Sequence, residues 1–436
     1  MVNETTLAFA GFTMILLFMY LIMSKRMSAM NVLILIPVIF AIGVGFYDTR
    51  LGTMMMAGVI KVAPTGIMIC FAILFFGIMI DAGLFDPVIE KILKAVHGDP
   101  MKVCVGTALL AAFISLDGDG STTYLVTCSA ILAVHRRLGI NAIILPALAV
   151  LENSVMNIIP WGGPTSRVLA SLGVESSQVF LPMIPCMVVG TLFVCFMGYL
   201  WGLNERNRIG IIDFTHDGRH AVVSGDPEAD KLKRPEKIWF NFALTALLMF
   251  CLIMETLPLA ILFIIGTAFA LLINYKNKDQ QARICANGAN AMPVISMVFA
   301  SGIFMGILSG TKMVDAMSNI IVAAVPETMG AHFPLITALI SLPGTFFMTN
   351  DAFYFGVLPV LTKAAAIYGI PAAEMGRAAL IGQGAHLLSP LVPSTFLLVG
   401  LNKVELGDLQ KFALIPAICI SLLWLATSIV LGHIRI

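Results

Sequence analysis

The chain has 436 residues, 59% hydrophobic and 12% charged, with a mean hydropathy of +0.95 and a formal net charge of +1. A soluble globule carries about 25% charged residues, so this composition excludes an ordinary soluble domain and points to the lipid bilayer. The near-neutral balance gives no footing for a nucleic-acid partner, and the eight cysteines, scattered without CxxC spacing, read as small packing residues and not as disulfides or a metal site.

In chain order, the first apolar run is Thr6 to Ser24. Glu4 stands where a signal peptide carries positive charge, no small-residue cleavage site follows, and Lys25-Arg26 come after the run. It reads as a retained helix. A helix needs about 20 apolar residues to cross the hydrocarbon core. Spans are expected near 6–24, 29–47, 64–82, 141–171, 178–203, 238–254, 257–275, 289–309, 371–402 and 411–433. The stretches 103–135 and 332–363 are apolar but broken by Gly, Pro, Asp, Ser or Thr. Neither half of either stretch is expected to cross, and both read as re-entrant hairpins beside a cavity. Residues 85–96 and 313–325 read as interfacial helices.

Placing the Lys25-Arg26 loop in the cytoplasm leaves only Arg50, Lys61, Arg167, Lys312, Lys363, Arg377 and Arg435 outside. The other 19 of the 26 basic residues are then internal, as the positive-inside rule demands. Both termini are expected to be external, with 204–237 a cytoplasmic linker.

The two halves resemble one another. Ser115-Leu116 matches Ser341-Leu342, and Leu138-Gly139-Ile140 matches Tyr368-Gly369-Ile370. Pro160–Thr165 (PWGGPT) matches Pro390–Thr395 (PLVPST), Val174-Glu175 matches Val404-Glu405, and Ile184-Pro185 matches Ile415-Pro416. The expected fold is an all-α membrane protein of two inverted repeats, 1–203 and 238–436. Each repeat has five transmembrane helices, one re-entrant hairpin and one interrupted helix. An odd number of crossings per repeat turns the second half upside down. This is a pattern of secondary transporters with a midplane site.

The candidate site follows from that pattern. The first hairpin tip carries Asp117, Asp119, Ser121, Thr122 and Thr123, with two glycines between them. A carboxylate at the bilayer centre costs about 2.5–3.5 kcal/mol on insertion scales. Asp117 or Asp119 therefore reads as a proton or cation ligand, or else as the cap of the next helix. The second tip carries Thr349, Asn350 and Asp351; Asp351 reads as titratable, or Asn350 or Asp351 as a cap. At the breaks, Gly162, Gly163, Thr165 and Arg167 in one half and Ser394 and Thr395 in the other line half-helix N-termini, where anions sit on free N–H groups. Arg167 either forks onto a substrate carboxylate or pairs with Glu175 or a lipid headgroup. Glu152 and His386 read as proton relays or as satisfied packing groups.

SLDGDGSTTY, NIIPWGGPT, PLVPST and LFDPVIEKIL together closely resemble the CitMHS family of the ion transporter superfamily, along essentially the whole chain. The resemblance implies a bacterial inner-membrane symporter that takes up a citrate–divalent metal complex with protons. Mg²⁺ or Ca²⁺ would travel as part of the cargo, with no permanently bound cofactor. It also implies a homodimer working as an elevator. Sodium-coupled relatives carry Ser-Asn-Thr at their tips; the different residues here fit proton coupling. The alternatives are a proton-coupled carrier of an uncomplexed di- or tricarboxylate or of a sugar acid such as gluconate, and, at long odds, an intramembrane enzyme.

Overall fold

In the computed structural model the residues described are 3–24, 26–96, 98–211, 231–254, 256–324, 327–389 and 391–435. They are helical, with no strand among them. Nine helices precede the linker: α1 Glu4–Met23, α2 Ala29–Gly43, α3 Thr49–Asp81, α4 Asp86–Val96, α5 Pro100–Ile114, α6 Gly120–Leu138, α7 Ile144–Met156, α8 Gly163–Leu172 and α9 Ser176–Ile209. Nine longer ones follow it among the described residues, besides the four-residue helices Glu327–Gly330 and Gln383–His386: α10 Ile238–Ile253, α11 Leu259–Asn274, α12 Asn277–Gly310, α13 Met313–Ala324, α14 Phe333–Phe347, α15 Ala352–Ile367, α16 Ala372–Leu380, α17 Pro393–Asn402 and α18 Leu406–Val430. Most of the linker expected at 204–237 lies outside the described residues, as does Pro390.

Local chemistry sets the boundaries. Ser28, Asp48 and Asp99 accept backbone N–H groups at the starts of α2, α3 and α5, satisfying donors that the helix cannot. Gly139 and Gly173 take left-handed backbone to end α6 and α8, a conformation that costs glycine little. Six described helical segments are long and apolar enough to cross a bilayer, among them α3, α9, α12 and α18. The protein is thus a multi-pass membrane protein.

Three boundaries differ from expectation. α3 and α12 begin well before residues 64 and 289. Their N-terminal extensions hold Arg50, Lys61, Asp279 and Arg283, which lower hydropathy without interrupting the backbone ladder, and Pro64 and Pro293 are carried inside. The first arm of the first hairpin, with its closing turn, spans 18 residues (Pro100–Asp117), inside the length range of a crossing helix. The second interrupted span is broken twice, with a short turn Gln383–His386 between α16 and α17.

The contacts sort the helices into two groups. α3 and α12 lie along one another; α11 packs on α3, and α2 on α12. The α3–α12 seam has no room for side chains where it is closest: a Cβ on Gly58 would strike the Gly302 carbonyl, and one on Gly306 the Met54 carbonyl. Small residues here let two backbones approach, the usual source of helix adhesion where lipid removes the hydrophobic drive. In the second group α5 packs on α6, α7 and α9, α18 on α9, α14 on α16, and α6 on α17. α8 touches both groups, the first through α3 and α12 and the second through α16 and α9. Trp161 adds a ring contact to each of Phe76 and Phe263, at 5.8 and 5.0 Å.

α9 runs between the mouth of the first hairpin and α16, the helix that follows the second. Near its C-terminus Arg206 approaches Asp99 (3.8 Å), Arg208 donates to the Gly139 carbonyl, and Glu205 accepts from Asn141 N–H. Near its N-terminus the Gln178 carbonyl accepts from Arg377, which also binds the His433 carbonyl. The helix has 34 residues, which at 1.5 Å each makes it about 51 Å long.

Candidate functional site

The first tip closes through the short turn Ser115–Asp117 and left-handed Gly118 (φ 80°). Asp117 is buried, and its Oδ1 accepts the Asp119 N–H at 2.9 Å. Asp119 accepts the Thr122 N–H at 2.7 Å and the Thr122 hydroxyl at 2.9 Å, so it caps α6. The Thr123 hydroxyl donates to the Asp119 carbonyl and shares a hydrogen bond with the Ser115 hydroxyl, which can donate to it. Ser121 stays exposed. The tip therefore spends one carboxylate on starting a helix and buries the other. Among the described residues neither takes part in an ion pair.

At the second tip the cap is Thr349, whose Oγ1 accepts the Ala352 N–H at 3.2 Å; neither Asn350 nor Asp351 does this. Asn350 Oδ1 accepts from Gln383 Nε2 at 3.0 Å. Asp351 Oδ1 accepts from Arg167 Nε at 2.7 Å. The partner of Arg167 is thus neither Glu175 nor a headgroup but a carboxylate of the opposite hairpin, 184 residues away in sequence. The two side chains are 18% and 13% exposed, so the pair is shielded but not sealed. Arg167 Nη1 also donates to the Gly163 carbonyl, which fixes the guanidinium over the break.

The breaks are sealed by side chains. Asn157 Oδ1 caps Gly163 N–H, and the Thr165 hydroxyl donates to the Ile158 carbonyl. In the other half the Thr395 hydroxyl donates to the Leu387 carbonyl. Thr165 and Thr395, expected to face a ligand, thus have their hydrogens committed to holding the broken chain together. Pro164 and Pro393 sit in the first turns of α8 and α17, where the missing N–H needs no partner. His386 shares a 2.6 Å hydrogen bond with the Thr345 carbonyl, a packing role. Glu152 accepts from Thr191 at 2.7 Å, with its second oxygen buried and unpartnered.

Each tip leans on the other half's break. A Cβ on Gly120 would stand 2.9 Å from Asn153 Nδ2 and 3.0 Å from Ser394 Oγ. The first tip therefore meets the start of α17, as the Arg167–Asp351 pair brings the second tip to α8. Both tips also bear on one segment: a Cβ on Gly118 would lie 2.9 Å from Trp161 and 3.5 Å from Gly162 Cα. Trp161 Nε1 donates to the Leu116 carbonyl. Asn153, Tyr354 and Gln383 join the tips without having been singled out in the sequence. The available signal was polar groups in apolar spans, with Asn153 and Gln383 set 230 positions apart. Among the described residues no group of three or more His, Cys, Asp or Glu is placed to hold a metal ion.

Comparison with known proteins agrees with this architecture. The CitMHS family, described as citrate transporters, matches residues 18–382. A Bacillus subtilis (strain 168) protein named citrate transporter is 56% identical over 98% of this chain and 99% of its own length. A second from that organism, named Mg(2+)/citrate complex secondary transporter, is 47% identical over 99% of each. Among solved structures, the Alcanivorax borkumensis YdaH transporter superposes with a TM-score of 0.59 at 15% identity, covering 88% of each chain, a likeness of fold alone. The chain therefore belongs to the CitMHS family of citrate transporters, and its role is transport and not enzymatic catalysis.

Proposed function

We propose that the protein takes up citrate complexed with a divalent metal ion, in symport with protons, through a site bounded by the two hairpin tips and the two helix breaks. The observation that carries this reading is the crossed arrangement in which each tip rests on the other half's broken helix. Free citrate bears about three negative charges at neutral pH, and burying them bare is prohibitive. Coordination to Mg²⁺ leaves about one. Asp117 and Asp119 suit a hard cation, which prefers oxygen ligands, or a proton. Ser121, Asn350, Ser394 and Arg167 suit the anion, whereas the Thr122 hydroxyl and the N–H groups of Gly162 and Gly163 are already taken by Asp119, the Ile159 carbonyl and Asn157. The relative named for a Mg(2+)/citrate complex supports the same cargo.

The wider mechanism is part of the proposal. The opposed contacts at the two ends of α9 support two inverted repeats, 1–203 and 238–436, whose hairpins enter from opposite faces. The group around α3 and α12 serves as a scaffold in a homodimer, and the group around α5, α9, α14 and α18 carries the cargo past it. Arg136, Arg206, Arg208, Lys403 and Lys411 gather toward the C-terminal end of α9, which supports a cytoplasmic placement of that end and external termini.

The experiment is uptake of labelled citrate into proteoliposomes across a metal series, with and without an inward proton gradient. Uptake is expected only with a divalent metal and is driven by the gradient. Full uptake in the presence of a chelator would exchange this reading for uncomplexed citrate, and uptake indifferent to the gradient would remove the proton.

A further inference from the structure

The second tip carries a hydrogen-bond relay whose polarity can be read from its fixed end. Tyr354 is fully buried, and its hydroxyl donates to the Ala379 carbonyl at 3.3 Å. A hydroxyl has one hydrogen, so toward Gln383, 2.8 Å away, Tyr354 Oη only accepts. The Gln383 atom facing it is therefore the NH₂ group and not the carbonyl oxygen. That same NH₂ lies 3.0 Å from the Asn350 side chain and spends its second hydrogen there. The Asn350 atom that receives it must be the carbonyl oxygen. Amide orientation is decided by such networks, and here the network leaves the Asn350 NH₂ turned away from Gln383, in a residue that is partly exposed.

We propose that Gln383, held by Tyr354, is a positioning residue that locks Asn350 with its NH₂ toward the space between the tips, so that Asn350 offers a carboxylate a donor and never an acceptor. The proposal rests on the carrier reading above and adds to it a source of selectivity for carboxylate cargo. The orientation is worth building in because an unlocked amide turns its carbonyl to the ligand half of the time, and that oxygen repels a carboxylate.

The other half of the molecule is an internal control. Counting back 230 positions gives Tyr124, Asn153 and Gly120 for Tyr354, Gln383 and Asn350. Tyr124 and Asn153 are as deeply buried as their counterparts, and Asn153 lies against Gly120. Tyr124 again faces the Asn153 amide, as Tyr354 faces Gln383, but with glycine at the tip there is no amide for that pair to orient.

The test is a double-mutant cycle read as KM for citrate uptake, at matched amounts of monodisperse protein. Gln383→Met keeps length and shape but makes no hydrogen bond. It is expected to raise KM about twofold, because a freed amide presents its NH₂ half of the time, with the maximum velocity unchanged. Tyr354→Phe is expected to move KM in the same direction. In an Asn350→Ala background, Gln383→Met is expected to do nothing further, because the group it orients is gone. An unchanged KM in Gln383→Met, or an effect of equal size in the Asn350→Ala background, overturns the relay. A wild-type protein that carries another carboxylate in place of citrate overturns the cargo reading alone, and the same cycle on that carboxylate then decides the relay.

Discussion

The two hairpin tips start their second helices in the same way and then diverge. Asp119 and Thr349 each accept the N–H three residues on, and each tip rests against the opposite break. The first tip then holds two carboxylates and no paired cation among the described residues, whereas the second holds one carboxylate already matched by Arg167. One shared frame thus presents a negative end and a nearly neutral, donor-rich end. The difference teaches that the two tips share a capping geometry and differ in charge, as suits the proposed cargo, a cation joined to an anion.

The largest expected effect comes from removing the negative end. Asn caps a helix about as well as Asp, so Asp119→Asn removes charge and leaves α6 started. It is expected to abolish uptake, by about a hundredfold or more, while the protein remains folded; Asp117→Asn should do the same. Citrate uptake at the wild-type rate in both variants would erase the contrast between the tips. Next in size is the Arg167–Asp351 pair. Asp351→Ala leaves a shielded guanidinium unpaired and is expected to cost about 2 kcal/mol of stability, less than a fully buried pair because solvent reaches it. Arg167→Ala with Asp351→Ala should recover part of that loss in a thermal-unfolding cycle. Strict additivity would show that the pair does not join the tip to α8.

Gly118→Ala tests the backbone of the first tip. Left-handed backbone costs a non-glycine residue roughly 1–2 kcal/mol, and the new methyl would press on Trp161. A drop in thermal stability is expected, and its absence would show that the turn can be rebuilt. Smallest is Thr349→Ala, which loses only a cap, about 1 kcal/mol by chemical or thermal unfolding. Its loss should match that of Asp119→Ala in stability but not in uptake, since only the latter also removes a charge.

Some of this was legible in the residues and some was not. Apolar run length, the Pro and Gly interruptions and the repeated motifs are local or periodic properties. They were enough to place the hairpins 103–135 and 332–363 and the breaks near Pro164 and Pro393, where the helices do divide. They were too coarse for the starts of α3 and α12, because hydropathy reports a neighbour's solvent while helix continuity depends on backbone hydrogen bonds.

Chemistry alone nominated Asp117, Asp119, Arg167 and Asp351, since a charge in an apolar chain needs a reason wherever it sits. Which charge meets which is another matter. That Arg167 reaches Asp351 and that Gln383 turns Asn350 are decided by atoms distant in sequence arriving within 3.0 Å of one another, and that the Thr165 and Thr395 hydroxyls close the breaks depends on how the chain bends back on itself there. Composition and spacing determined the kind of protein and the segments that break. Only tertiary packing could determine the pairings, because hydrogen bonds and ion pairs depend on distances that no linear pattern encodes.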